Sequence, residues 1–454
     1  MCLQRAAGGT GSGALSSGAR GGKRVSKEVI HLGILGLGVV GSGTVEVLRR
    51  NRESIERKIG ARLEIRRIAV RDVNKPRRVP VDRSLLTNNA YEVIDDPQVD
   101  IVVELIGGVH PAKEYVLRAL ENGKPVVSAN KELLAKEGAD IMMAAGRCHL
   151  DFAFEGSVGG GIPIIQPMKN ALAGNRIERV MGIVNGTTNY ILTKMAEDGT
   201  DFDQALKEAQ AQGYAEADPS ADVNGHDAQY KIAILASIAF TARVKVDDVY
   251  CEGIAKITRT DMEWANRLGY AIKLVAIAQE VSPKAVQVRV HPALLPLSHP
   301  LASVRDVYNA ILVHGDAVGD VMFYGRGAGS LPTGSAVVGD IIDVSRNLLF
   351  GSSGRVGCTC FDQRYVIPIE QVETSYYVRM RVQDRPNVLA QVAGVFGIHH
   401  ISISSVVQRQ INPQEAEIVW ITHRTQEGAI RHATAEIRRL PVVMDVCSTI
   451  RVEE

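Results

Sequence analysis

Six residues, Gly36-Leu37-Gly38-Val39-Val40-Gly41, constrain this 454-residue chain more than any other segment. They follow the apolar run Val29–Leu35 and open an amphipathic helical pattern over residues 40–57. Glycines in that setting build a strand–turn–helix. The first allows the tight turn, the second lets backbone approach a pyrophosphate, and the third packs helix on strand, with the helix N-terminus supplying amide donors. The expectation is a dinucleotide site at Gly36, Gly38, Val39, Val40 and Gly41.

Short β-branched runs then alternate with helical stretches, at residues 63–70, 101–106 and 126–129. Strands joined by helical crossovers imply a parallel sheet with helices on both faces, an α/β, Rossmann-like doubly wound domain. At roughly 150 residues per domain the length predicts about three domains. The first is placed at 28–160 and completed by a helix at about 334–350. An α+β domain at 161–333 mixes helical segments (203–212, 227–240, 259–268) with strands (177–184, 285–291, 310–316). After a break at 351–354, residues 374–454 accommodate strand, helix, strand, strand, helix, strand, the ferredoxin-like order. Residues 1–27 contain one glutamine, no carboxylate and almost no large apolar side chain, so they are expected to form a disordered tail. Their arginines resemble a transit peptide, but the amphipathic period is missing, and a cosmetic extension is the simpler reading.

Lys plus Arg number 52 and Asp plus Glu 51, so no global field favours nucleic acid or a membrane surface. No apolar run reaches the roughly 18 residues of a spanning helix. Six cysteines make no disulfide framework and no CxxC pair, which fits a reducing cytoplasm. Cys358-Thr359-Cys360 reads as buried or incidental thiols, with no cysteine expected in catalysis.

Four segments carry candidate chemistry. Ala69-Val70-Arg71-Asp72 ends the second strand, where a carboxylate suits the ribose of NAD and an arginine the 2′-phosphate of NADP; Arg71 tilts the expectation to NADP, against a plain Arg71–Asp72 surface pair. Asn130-Lys131 follows a buried strand, which sets Lys131 at the ligand crevice. The glycine-dense stretch after Glu155 could turn carbonyls toward a hard cation or could be a hinge, and by itself the pattern favours the hinge. From Gly213 to Lys231 four carboxylates crowd a turn-rich loop, and Lys231 stands at i+4 from Asp227 on a helix apolar nearly all round. A lysine buried there loses solvation, its pKa falls, and it becomes a usable acid or base, while nearby carboxylates suit an ammonium group.

The loop resembles the signature of the homoserine dehydrogenase family, with every fixed position from Ala209 to Lys231 filled. Residues 36–41, 123–131, 154–163, 182–192 (GIVNGTTNYIL) and 325–340 (GRGAGSLPTGSAVVGD) resemble the same family in the same order. The resemblance implies NAD(P)-dependent interconversion of L-homoserine and L-aspartate 4-semialdehyde, on the route to threonine, methionine and isoleucine. It implies Lys231 as proton donor, Lys131 beside nicotinamide and reacting oxygen, and Glu216, Asp222 and Asp227 holding the amino acid, with Thr187 and Gly213 lining the pocket. Ala69 and Gly329 would touch the cofactor. Glu155 with the main-chain oxygens of Val158, Gly160 and Ile162 resembles the family's sodium site, which replaces the hinge reading.

Residues 377–408 resemble an ACT domain, in which Asn387 stands where glycine is usual; asparagine tolerates the left-handed backbone better than other non-glycine residues. Threonine is the effector this implies, and a homodimer or homotetramer the assembly. Two rival readings are a non-catalytic amino-acid sensor and a phosphorylating aspartate-semialdehyde dehydrogenase. The first has no need of the two lysines, and the second needs a thiolate nucleophile that neither Cys148 nor Cys251 is placed to supply.

Overall fold

The structure, a computed structural model, describes residues 27–453. The tail expected at 1–27 therefore lies outside the described residues except for Lys27, which pairs with Asp100.

Strands β1 (Val29–Leu35), β2 (Arg62–Ala69), β3 (Leu86–Thr87), β4 (Ile101–Glu104), β5 (Val126–Ser128) and β6 (Phe152–Ala153) form a parallel sheet in the order β3-β2-β1-β4-β5-β6. The apolar runs of β4, β5 and β6 are buried throughout and β1 nearly so, whereas β2 carries Arg62, Glu64, Arg66 and Arg67 and is buried only at Ile68 and Ala69. On one face Ile30, Leu32, Ile34, Ile101 and Val103 pack with Val45, Leu48 and, from far along the chain, Val337, Val338, Ile341 and Val344. Those last four belong to the helix Ser330–Phe350, which returns to lie on the helix Val39–Arg50. The approach is close because both helices carry glycine at the crossing: a Cβ on Gly43 would lie 1.9 Å from the Ser330 carbonyl oxygen, and one on Gly334 would lie 2.5 Å from the Gly43 carbonyl carbon.

The helix expected over 40–57 is two helices, Val39–Arg50 and Arg52–Ile59. Asn51 ends one and begins the other: its N–H still donates to Val47, and its carbonyl accepts from Ile55. The strand expected over 101–106 ends at Glu104, because the Glu104 carboxylate captures the Ile106 N–H (2.8 Å) and turns the chain out of the sheet.

The second sheet contains β7 (Ile177–Ile183), β8 (Tyr250–Cys251), β9 (Tyr270–Ser282), β10 (Ala285–Pro296), β11 (Tyr308–Gly315), β12 (Gly319–Arg326), β13 (Tyr365–Val366), β14 (Glu373–Gln383), β15 (Ile403–Asn412), β16 (Glu415–Thr422), β17 (Thr425–Gln426) and β18 (Val443–Val452). Its main path runs β12-β11-β7-β9-β10-β18-β14-β16-β15. The C-terminal α+β unit therefore continues the central sheet, joined where Ala293 and Leu294 of β10 pair with Arg451 and Val452 of β18. A buried polar knot reinforces this seam. Asp261 accepts from Arg379 (2.8 Å), Tyr377 (3.3 Å) and Ser448 (2.8 Å), while Glu417 accepts from Trp264 (2.6 Å) and Arg379 (2.9 Å). Asn387 has φ 70°, the left-handed conformation expected of it, and caps the helix Val388–Ile398. Among the described residues no helix is long and apolar enough to cross a membrane.

Candidate active site

Strand order reverses between β1 and β4, and a cavity of about 720 Å³ opens at their carboxyl ends, where open α/β sheets bind ligands. Each glycine of the fingerprint has a distinct place. Gly36 takes φ +98°, and a Cβ there would meet the Leu105 carbonyl oxygen at 2.7 Å. A Cβ on Gly41 would meet the Gly36 oxygen at 2.3 Å. Gly38 has nothing within 4 Å of its Cβ position, so its backbone lies bare to the cavity. The helix after it has no acidic residue in its first turn and no side-chain cap, which leaves its amides available to a phosphate. These features fit a dinucleotide. Val39 is exposed at the helix start and Val40 half-buried, Ala69 ends β2 beside them, and the Val39 carbonyl accepts from Ser330, next to Gly329.

Arg71 lines the same cavity with Lys75, Arg77 and Arg78. Asp72 turns its carboxylate to the Asn74 amide (2.8 Å) rather than to Arg71.

The helix Lys131–Cys148 starts where Asn130 caps it, its side chain accepting the Leu133 N–H (3.1 Å) and donating to the Gly108 carbonyl (2.6 Å). Lys131 is thus the first helical residue, and its ammonium hydrogen-bonds Oδ1 of Asp227, from the helix His226–Ala239. Lys231, one turn further along that helix, donates to Oδ2 of Asp227 (2.6 Å) and to the Val184 carbonyl (2.6 Å). Asn185 donates to both Asp222 (2.7 Å) and Asp227 (2.9 Å), and it caps the helix Gly186–Glu197. Burial lowers the Lys231 pKa, a pull that Lys131 reinforces and Asp227 opposes. Burial alone would raise Asp227, but the two lysines outweigh it and hold the carboxyl below its ordinary value. Burial would likewise lower Lys131, but the Asp227 charge and hydrogen bond carry it upward.

The structure therefore brings Lys131, Asp227, Lys231 and Asp222 together. Glu216 is exposed in the neighbouring loop, Gly213 turns that loop with φ +74°, and Thr187 ties it down by donating to the Tyr214 carbonyl (2.7 Å). Asp218, the remaining loop carboxylate, only closes a turn on the Ser220 amide. Sequence reasoning missed Asn185. Its Asn-Gly-Thr-Thr setting reads as a helix cap, but nothing in it points to two carboxylates distant in the chain. It also missed Glu104, whose buried carboxylate shapes the loop between β4 and the cavity.

Glu155 departs from expectation in one respect. Its carboxylate accepts the amides of Ile164, Ile165 and Gln166, so it cannot be offered freely to a cation. The buried carbonyls of Val158, Gly160 and Ile162 accept no hydrogen bond among the described residues, which leaves three oxygens that fit a hard cation.

Three family models match the chain: homoserine dehydrogenase, NAD binding domain over residues 36–155, homoserine dehydrogenase over 163–342, and ACT domain over 376–442. The chain is 46% identical to the homoserine dehydrogenase of Synechocystis over 93% of this chain and 99% of that protein. It is 45% identical to that of Mycobacterium tuberculosis over 94% and 98%. Among solved structures, a homoserine dehydrogenase from Thiobacillus denitrificans matches with TM-score 0.88 and 44% identity, covering 94% of this chain and 98% of the other. A hyperthermophilic archaeal homoserine dehydrogenase mutant in complex with NADPH matches with TM-score 0.59 and 27% identity, over 70% of this chain and 97% of the other.

Proposed function

The chain belongs to the homoserine dehydrogenase family, and from that premise we propose how its own residues carry out the NAD(P)-dependent interconversion of L-homoserine and L-aspartate 4-semialdehyde. The observation that carries the reading is the Lys131–Asp227–Lys231 arrangement, in which Asp227 and Lys231 are buried and the Lys131 helix is tied by its cap Asn130 to Gly108, next to the cavity-lining Gly107. A bound nicotinamide supplies or accepts the hydride. Lys231 exchanges the proton at the substrate's side-chain oxygen, donating it in reduction and removing it in oxidation. Its lowered pKa suits both directions. Lys131, cationic, stands against the charge that develops on that oxygen. Asp227 fixes both ammonium groups, while Asp222 and the exposed Glu216 offer carboxylate oxygens to the substrate ammonium, with Thr187 and Gly213 shaping the loop.

NADP is the preferred nucleotide in this reading, because Arg71 and its three cationic neighbours line the ribose end of the cavity while Asp72 is engaged elsewhere. The carbonyls of Val158, Gly160 and Ile162 would hold a sodium ion, with the Glu155 carboxylate ordering the loop behind them. Threonine is the proposed effector of the ACT unit. The enzyme is proposed to be cytoplasmic and a homodimer or homotetramer, in keeping with the free sheet edges at β12 and β15.

The test is the initial rate at the reduced-nicotinamide band with L-homoserine and either NAD or NADP, with and without L-threonine. Turnover favouring NADP and suppressed by threonine is expected. Absence of turnover from folded, nucleotide-bound protein would overturn the reading in favour of a sensor.

A further inference from the structure

Behind the Lys131 and Lys231 helices lies a second, smaller cavity of about 100 Å³, walled by Leu134, Met142, Ile234 and Val244 and closed by Lys169 and the segment Cys358-Thr359-Cys360. Composition alone made these cysteines incidental; their surroundings do not. The Cys360 amide donates to Cys358 Sγ (3.5 Å), and Cys360 Sγ lies 3.8 Å from the Ser237 carbonyl oxygen, on the helix that carries Lys231. The ammonium of Lys169 sits 4.9 Å from the Phe154 ring and makes no hydrogen bond among the described residues, so its charge is left to the thiols and carboxylates around it. Lys136 and Arg243 add two more cations to the lining.

We propose that Cys358 and Cys360 form an oxidative modification site, in which Cys358 is the thiolate that attacks a hydroperoxide and Cys360 the thiol that resolves the product to an intrachain disulfide. The two thiols are unequal in the required sense. The neighbouring Cys360 thiol, then the Cys360 amide and the Lys169 charge, hold Cys358 below the ordinary thiol value against its burial, while the same pairing pushes Cys360 up. Elsewhere burial raises Cys251 and Cys447 instead. Residues two apart on an extended chain have Cα atoms roughly 5.5–7 Å apart, which overlaps the range a disulfide spans. A soft-metal site is the weaker reading, since no group of three or more His, Cys, Asp or Glu among the described residues could hold a metal.

The chemistry balances. The Cys358 thiolate attacks one peroxide oxygen, the O–O bond breaks, hydroxide leaves and takes a proton from solvent, and the sulfur becomes a sulfenic acid. Cys360 then attacks that sulfur and water departs with the thiol proton. The dithiol loses two electrons, and one hydrogen peroxide becomes two waters.

The test is peptide mass spectrometry of the reduced full-length chain after dosing with hydrogen peroxide, with dimedone as the sulfenic-acid trap. The wild type is expected to lose roughly 2 Da in the peptide holding both cysteines, reversibly with dithiothreitol. C360S is expected to trap dimedone at Cys358, and C358S to trap none at Cys360. The exposed Cys148 serves as internal reference. Oxidation of Cys148 as fast as Cys358, or an unlabelled Cys358 in C360S, would overturn the proposal.

Discussion

Lys131 and Lys231 hold opposite oxygens of one carboxylate, Asp227, and reach it from helices whose starts lie almost a hundred residues apart. One buried and one half-exposed cation share a single buried anion, with the Asn185 amide as the only further donor on it among the described residues.

Replacing that anion should be costly. Asp227→Asn removes the one carboxylate that hydrogen-bonds both ammonium groups and leaves them only the more distant charge of Asp222, and breaking a buried pair in this way destabilises by about 3–5 kcal/mol. The folded carboxyl sits below its unfolded value near 3.9, so its contribution is complete above that pH and disappears as pH falls through the folded value. Urea denaturation at pH 7 should show the full loss, and the difference between wild type and variant should shrink in strong acid.

Lys231→Ala should lower kcat by about 10²–10⁴-fold while nucleotide affinity stays within about twofold. In the wild type, oxidation needs Lys231 neutral, so its rate should rise with pH through a pKa below that of an ordinary lysine. Reduction should show the opposite limb. Both limbs should vanish from the pH–rate profile of the variant.

Arg71→Ala should raise KM for NADP by about tenfold and leave NAD unchanged, because only the 2′-phosphate requires the guanidinium. Steady-state kinetics with both nucleotides would check this.

The glycines should separate binding from folding. Gly38→Ala meets no protein atom, so its melting temperature should match the wild type while nucleotide affinity falls. Gly43→Ala would drive a methyl into the Ser330 carbonyl, and the melting temperature should fall by several degrees. Calorimetry with and without NADP distinguishes the two.

Asp261→Asn should loosen the seam to the C-terminal unit, since the fully buried Asp261 is one of the two counter-charges of Arg379, with Glu417 the other. A drop in melting temperature of several degrees is expected.

Much of this molecule is readable from local pattern. The fingerprint glycines, the parallel strands and the i,i+4 pair of Asp227 and Lys231 all rest on contacts within a turn or a βα unit. What escaped rests on contacts between distant segments. β9 reads Tyr-Ala-Ile-Lys-Leu-Val-Ala-Ile-Ala, an apolar run without alternation that only its pairing with β7 and β10 makes a strand. Asn185 looks like a cap until the fold delivers Asp222 and Asp227 to it. The Glu155 carboxylate looks like a ligand until the next turn presents three amides.

The return of the helix Ser330–Phe350 to the first sheet also sets an order of events during synthesis. The apolar face formed by Ile30, Leu32, Ile34, Ile101 and Val103 waits for Val337, Val338, Ile341 and Val344, which leave the ribosome some two hundred residues after the last of the six strands' crossover helices. The nucleotide fold is thus begun before the catalytic unit and closed only after most of that unit has emerged, while the second sheet still waits for its last strands, β13 to β18. A transcript truncated before codon 330 would yield a product with a bare sheet face, prone to aggregation rather than a smaller working domain.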